Sequence, residues 1–292
     1  MVTAKYICMG RNTILRQAPG LFDIDNRLAE LTKKGDCLQR LDTLIKWGIF
    51  SKVIDPIFGS VNNTASGGRP AYSTELMFKL LVMQRLYNLS DEQAEFQAND
   101  RLNYQRFLGV SLADSIPDQN TIREFREALV KAGAFQQLFE IFNKQLREQG
   151  LFPKEGSIVD ATFVEVPRQR NTREENHEIK NDITPKDWVQ NPDKLAQKDL
   201  DARWAKKNDE VHFGYKNYIK VNVVSKLIEK ACVTAASVHD SQAVCKLVES
   251  GDKMMIADSA YSGRPVATQL AAVEVTPAIV AKAPRGGELS EL

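Results

Sequence analysis

The chain has 292 residues, of which 43% are hydrophobic and 26% are charged, and its formal net charge is +1. These values are typical of a globular protein with one large domain or two of ordinary size. They exclude a strongly basic or acidic chain, so any surface that binds nucleic acid must be basic only locally. Composition alone therefore assigns no function.

Targeting signals and metal-binding cysteine motifs are absent from the sequence. Its N-terminus lacks a charged region followed by an apolar core, and no stretch approaches the roughly 18–20 apolar residues of a membrane span. The cysteines lack the CxxC or Cys/His spacing of a metal site. We therefore expect a cytoplasmic protein with reduced thiols. The cysteines are Cys8, Cys37, Cys232 and Cys245.

The first 150 residues carry mainly helical periodicity. Residues 1–36 predict a loose N-terminal arm with one short helix near Asn26–Lys33. Residues 37–150 predict a helical domain, because apolar residues recur at helical spacing between capping residues and glycines. The predicted helices are Cys37–Phe50, Leu76–Leu86, Asp91–Ala98, a helix from Ser115 or Asp118 to about Lys131, and Phe135–Glu148.

One of these helices has two interpretations. Thr121–Arg126, which includes Arg123 and Arg126, is compatible with the recognition helix of a helix-turn-helix. An ordinary solvated helix face gives the same pattern, and the sequence favours it slightly because such helices are common in helical folds.

After residue 150 the hydrophobic period becomes that of strands, which predicts a domain at 151–292. A polar insertion, 168–210, interrupts it. The order β-β-β-α-β-α-β predicts a mixed sheet with helices on its faces, so the fold class is α+β in two parts. The predicted strands are 156–166, Gly214–Ser225, Ile228–Val238, Met254–Ala257 and Val275–Ala281. One predicted helix follows His239–Ser241 and runs through Glu249, and a second spans Gly263–Ala272.

The insertion contains two tryptophans, Trp188 and Trp204. Each could pack a small core of the insertion or stack on nucleic-acid bases. Packing is favoured because an insertion of this length needs a core of its own.

Two aspartates mark the candidate site. Asp160 lies in the middle of the apolar run of the first strand, where burial would require a cation or hydrogen-bond donors. Asp258 ends the apolar run Met254–Ala257. Two strands that each deliver one carboxylate predict a site for Mg²⁺, with Mn²⁺ as a substitute, of the kind that serves phosphoryl transfer. Alternatively, Asp160 is a hydrogen-bonded core residue and Asp258 caps the following helix.

His239 and Asp240 form a weaker candidate pair. We expect Asp240 to be the N-cap of the following helix, since Asp is favoured at that position.

The sequence resembles bacterial insertion-sequence transposases of the DDE class, with insertion sequence family five as the closest branch. The resemblance runs from about residue 37 to about residue 285. The segments that carry it are Arg69–Leu86, Phe107–Gly109, Ile116–Arg126, Ile158–Thr162, Phe213–Asn217, Val238–Ser241 and Ala257–Tyr261.

The resemblance implies an RNase H-like catalytic domain behind a helical domain that binds terminal inverted repeats. It also implies Asp160 and Asp258 as the first two catalytic, metal-binding acids. Arg168, Arg170 and Lys216 become candidate phosphate contacts, beside Arg123 and Arg126 of the helical domain. The implied partners are double-stranded DNA, as terminal repeats and target, and further copies of the chain, at the bacterial nucleoid.

The family's third acid, a Glu on a helix after the last strand, has no counterpart here. Glu288 and Glu291 lie in a Gly-containing tail without the family's flanking Arg and Lys, so neither takes the role. The catalytic domain is therefore expected to be truncated before that helix. Three hypotheses follow: a transposase, possessing a weakened or incomplete acidic set; a non-catalytic DNA-binding remnant or regulator; and an RNase H-like nuclease of relaxed specificity.

Overall fold

The computed structural model of the chain describes residues 20–59, 70–207 and 209–280. Predictions for residues 1–19 and for the tail with Glu288 and Glu291 lie outside them. Contacts within the chain divide it into two compact units, Met1–Gln145 and Leu146–Leu292. The first is helical, and the second is a mixed sheet with flanking helices, so the predicted fold class is confirmed.

Helices make up the described part of the first unit and extend just past its end. A 3₁₀ turn, Trp47–Ile49, lies between the second and third α-helices. The α-helices are α1 Asp23–Lys33, α2 Cys37–Leu44, α3 Ser51–Phe58, α4 Thr74–Leu86, α5 Asp91–Asp100, α6 Leu102–Leu108, α7 Gln119–Lys131 and α8 Ala134–Glu148.

Side-chain caps begin three of these helices where the sequence predicts a start. Ser73 accepts a hydrogen bond from the Leu76 N–H at the start of α4. Ser90 and Gln93 form a reciprocal capping box at α5. Asp118 caps α7 by accepting from the Thr121 N–H. Each cap satisfies amide groups that have no partner inside the helix.

One helix prediction is wrong, and two described helices of this unit are not predicted by the sequence. Cys37–Phe50 is not one helix, because α2 ends at Leu44 and the Lys46 N–H donates instead to the Gln145 side-chain oxygen, 2.9 Å away. The break lets the Trp47 ring pack edge-on against the Phe107 ring. The helices without a prediction are α3 and α6.

The core of the helical unit surrounds α4. Leu80 and Met83 of this helix are fully buried, together with Ile54 and Ile122 from α3 and α7. Fully burying a side chain of this size stabilises the fold by about 1.5–3 kcal/mol. The apolar circumference of α4, which predicts a central helix, is thus explained by neighbours on several sides.

The second unit contains a six-stranded sheet. Its strands are β1 Ser157–Glu165, β2 Arg203–Lys207, β3 Glu210–Asn222, β4 Ile228–Ala235, β5 Met254–Ala257 and β6 Thr276–Ile279. Its described helices are α9 Arg173–Lys180, α10 Lys186–Gln190, α11 Pro192–Ala196, α12 Val244–Leu247 and α13 Arg264–Ala272.

Strand β1 lies at the centre of this sheet, between antiparallel β3 and parallel β5. Beyond β5 the parallel strand β6 completes one side. On the other side the two halves of β3 pair with different strands, its first residues with β2 and the rest with β4. A turn at Lys226, whose φ is +61°, joins β3 to β4, as predicted.

Gly214 lies where β3 changes its partner from β2 to β4. Its φ is +145°, and a Cβ atom there would lie 2.2 Å from the Val164 carbonyl oxygen. Any side chain would therefore push the central strand pair apart. This close approach explains the glycine in the motif Phe213–Asn217.

The polar insertion is more ordered than its composition suggests. It contains the short helices α9, α10 and α11, and it ends in β2, which the sequence analysis assigned to the insertion rather than to the sheet. Trp188 is fully buried, and its indole N–H donates to Glu175 at 2.7 Å. The packing interpretation therefore holds for Trp188.

Candidate active site

Asp160 and Asp258 are brought together by the parallel pairing of β1 with β5. The register pairs Ile158 with Ile256, and each aspartate follows its isoleucine by two residues. Residues two apart in a strand point to the same face, and Asp258 keeps extended backbone angles. The two carboxylates therefore lie side by side on one face of the sheet.

Both side chains are exposed, which corrects the expectation that Asp160 is buried. Strand β1 alternates between buried and accessible positions, so only the side of Val159 and Ala161 faces the core. Asp160 Oδ1 accepts the Ala161 N–H at 2.7 Å, and Asp258 Oδ1 accepts the Ala260 N–H at 2.9 Å. Asp258 thus caps the 3₁₀ turn Ser259–Tyr261, as its alternative role required.

These carboxylates fit a divalent cation. Within the described ranges neither Asp160 nor Asp258 forms an ion pair. Only the Oδ1 atom of each accepts a hydrogen bond there. Hard cations accept one or two carboxylates and complete their shell with water and substrate phosphate. Among the described residues there is no group of three or more His, Cys, Asp or Glu side chains that could hold a metal.

Asp240 lies nearby but is occupied by hydrogen bonds. Its Oδ1 accepts from Lys216 Nζ at 2.8 Å and from the Tyr218 hydroxyl at 3.0 Å. Lys216 also donates to the Val238 carbonyl oxygen at 2.9 Å. Because Lys216 pairs with Phe163 in the β1–β3 register, its side chain lies on the face opposite Asp160. A phosphate contact by Lys216 would require it to leave Asp240.

The expected N-cap role of Asp240 is wrong. His239 is the N-cap of the 3₁₀ turn Asp240–Gln242, and its Nδ1 accepts the Ser241 N–H at 3.3 Å. The predicted helix is also shorter than expected, since α12 covers only Val244–Leu247. Asp240 takes its role from Lys216, a partner far away in the sequence.

Tyr261, which the sequence does not single out as a site residue, lies under the site. Its side chain is buried, and its hydroxyl has no hydrogen-bond partner among the described residues. Burial raises its pKa most, and the charges of Asp240, Asp160 and Asp258 raise it further. The motif Ala257–Tyr261 carries the only sequence signal for it.

The predicted DNA-contacting arginines fall into two groups. Arg168 and Arg170 are exposed in the insertion, and Arg123 is about half exposed on α7. Arg126 instead forms two hydrogen bonds with Asp91, at 2.6 and 2.7 Å, inside the helical unit. Contact of Arg126 with DNA would require breaking this pair.

The structure also favours the solvated-face interpretation of α7. Residues 109–118 separate it from α6, whereas a helix-turn-helix joins its helices by about three to four residues. The buried residues of α7 are Ile122, Phe125 and Leu129, so its remaining face is left to solvent.

Comparison with known families gives two matches in chain order. Residues 26–128 match a transposase domain (DUF772), and residues 151–286 match the transposase DDE domain. The two matches together support a DDE-type transposase. Such a domain implies divalent-metal dependence and DNA binding. No solved structure matches the chain significantly. In the part of the chain that the structure describes, no helix is both long and apolar enough to cross a membrane.

Proposed function

We propose that this chain binds the terminal inverted repeats of an insertion sequence and cleaves and joins DNA strands there, with Mg²⁺ held by Asp160 and Asp258. The observation that carries the proposal is the register of β1 and β5, which puts these two exposed carboxylates next to each other on one face of the sheet. Their position inside the region that matches the DDE domain supports the same reaction.

The bound cation would supply the charge that stabilises the reacting phosphate oxygens. Asp160 and Asp258 would fix the cation from one face of the sheet, each through the oxygen that the backbone N–H leaves available. Asp240 stays paired with Lys216, whose side chain lies on the face opposite Asp160, so Asp240 would not hold the cation in the same way. Arg168 and Arg170 would bind DNA phosphates and Arg123 would do so from the helical unit, which positions the DNA. We place this activity at the bacterial nucleoid, with further copies of the chain assembled on the DNA.

Cleavage of DNA that carries the element's terminal repeats, in Mn²⁺ or Mg²⁺, tests the proposal. Asp160→Asn and Asp258→Asn should each lower cleavage by more than about 100-fold, since even outer-shell partners of a metal ligand cost about 10- to 100-fold. Asp193→Asn, an exposed carboxylate on α11, should cleave like the wild type. Unchanged cleavage in the Asp160 variant would sink the proposed active site.

A non-catalytic regulator is the second candidate. It is favoured by the described residues, which contain no cluster of three or more metal-ligating side chains. Such a protein would bind repeat DNA equally well in EDTA and would not nick it in Mn²⁺. Nicking by the wild type that Asp160→Asn abolishes would exclude this candidate. The third hypothesis, a nuclease of relaxed specificity, requires unrelated DNA to be cut as readily as repeat DNA.

A further inference from the structure

The three tryptophans of the chain have very different environments. Trp47 and Trp188 are 6% and 0% exposed, whereas Trp204 is 44% exposed. The Trp204 ring rests against the buried Phe213 ring, with 4.8 Å between the ring centroids. Packing therefore accounts for one side of Trp204 and leaves much of the indole open to solvent. Large exposed aromatic rings are typical of binding surfaces.

Trp204 lies on the same face of the sheet as Asp160. It pairs with Phe213 in the β2–β3 ladder, and the Phe213 carbonyl accepts the Val166 N–H at 3.0 Å. Val166 follows Asp160 by six residues, an even number, so both belong to one face of the strand line. At about 3.3 Å per residue, Trp204 is level with a point about 20 Å from Asp160 along β1. About six base pairs of DNA cover the same length.

Cationic side chains accompany the exposed ring. The Arg168 guanidinium lies 5.6 Å from the Trp204 ring centroid and is anchored by donating to the Val211 carbonyl at 3.3 Å. Lys206 projects from β2 on the same face as Trp204, two residues further along. It pairs with Asp209 at 2.8 Å, but both are largely exposed. An exposed ion pair of this kind contributes little to stability, so a DNA phosphate can replace the Asp209 carboxylate as the partner of Lys206.

We propose that Trp204 stacks on an unpaired base of the DNA strand that reaches Asp160, while Arg168 and Lys206 bind the flanking phosphates. The inference rests on the proposed function. DNA is the occupant because an exposed indole accompanied by Arg168 over its ring and by Lys206 two residues along β2 combines the two features that bind single strands, a stacking surface and phosphate contacts. The ring also lies on the same face of the sheet as the proposed active site.

Tryptophan fluorescence tests the stacking in the wild-type protein. Because the other two tryptophans are buried, a base can quench only Trp204 by direct contact. The probes are two duplexes in EDTA, one with a single-stranded dT overhang and one whose overhang has the same phosphates but abasic sites. We expect the dT overhang to quench and the abasic overhang not to quench. Equal fluorescence with both probes at saturating DNA would overturn the inference.

Binding by variants provides the second measurement. Trp204→Ala should weaken binding of the dT overhang by about 5- to 100-fold, from the range for base–aromatic stacking, and should leave abasic binding unchanged. Trp204→Phe, which keeps a ring on Phe213, should recover most of the affinity. Val189→Ala removes an even more exposed apolar side chain of the insertion and should bind like the wild type. Equal losses for both overhangs in the Ala and Phe variants would contradict stacking.

The outcomes separate this inference from the function on which it rests. A wild-type chain that binds neither probe nor repeat DNA would overturn the proposed function. A chain that binds repeat DNA, with Trp204 fluorescence unchanged and Trp204→Ala binding normally, would overturn the stacking alone.

Discussion

Each face of the sheet carries one pair of carboxylates, and the two pairs differ in burial and in whether the protein supplies them with a cation. On one face Lys220 is 2% exposed, and its Nζ lies 2.6 Å from Asp252 and 3.1 Å from Glu229. On the other face Asp160 and Asp258 are exposed and have no ion pair among the described residues. The first pair already has its cation, and the second leaves room for one.

The difference separates structural charge from functional charge. Burial makes an unpaired charge costly, so the chain must supply Lys220 to Asp252 and Glu229. Exposure lets water solvate Asp160 and Asp258, so the protein need not supply a cation to either. A cation from solution can then bind there, at the cost of little stability when it is absent.

Removing the buried cation should have the largest effect. Lys220→Met removes the cation that Asp252 and Glu229 share, and breaking a buried ion pair costs about 3–5 kcal/mol. We expect a decrease of this size in the free energy of unfolding, measured with urea. Lys230→Met breaks a more exposed pair with Glu249 and should cost less than about 1 kcal/mol.

Neutralising the carboxylates should restore part of the loss. Lys220→Met combined with Asp252→Asn and Glu229→Gln should be more stable than Lys220→Met alone. If the triple variant is no more stable, the cost of Lys220→Met comes from packing, and the contrast between the two faces is not electrostatic.

Local signals account for most of what the sequence predicted. Strand β5 has its predicted bounds, and Ser90 and Asp118 cap the predicted helices, because period and capping act between near neighbours. Asp160 and Asp258 could be chosen because each interrupts or ends an apolar strand. Whether these two residues bind metal stays a prediction.

Long-range contacts account for what the sequence did not predict. The break after α2 depends on Gln145, which lies 99 residues from Lys46. Strand β2 is polar and is held by pairing with the first residues of β3, while Asp240 is set by Lys216. A hydrophobic pattern read over a short stretch of sequence does not include these distant partners. The exposure of Asp160 likewise depends on which face of the sheet other elements cover.

The Asp91–Arg126 pair gives an intermediate case, since each side chain is about a quarter exposed. The hydrogen bonds from Arg126 lower the pKa of Asp91 from 3.8 to about 2. Because the pKa of Asp91 is lower in the folded chain than in the unfolded chain, the ionised carboxylate stabilises the fold at any pH above the unfolded pKa. This contribution is lost as the pH falls from about 4 to about 2. Arg126→Met should therefore cost about 2 kcal/mol at pH 7, and its deficit should shrink across that pH range.

Unfolding in urea from pH 7 to pH 2.5 measures this deficit. Arg123→Met is the matched control, because Arg123 lies on the same helix, is half exposed and is 3.9 Å from Glu127. It should change the free energy of unfolding by less than about 0.5 kcal/mol at every pH. A deficit of Arg126→Met that does not depend on pH would mean that the lost packing of the side chain, rather than its charge, matters.

Metal binding should give the smallest change, and it addresses the exposed face directly. A cation held by Asp160 and Asp258 stabilises the folded chain by about 1.4 kcal/mol at ten times its Kd, which raises Tm by about 2–4 °C. Mn²⁺ should produce this shift in the wild type and in Asp193→Asn, but not in Asp160→Asn. Without metal, Asp160→Asn should be as stable as the wild type, since it removes no ion pair in the described structure. A large loss of stability without metal would place Asp160 with the structural charges of the opposite face, and the contrast between the two faces would fail.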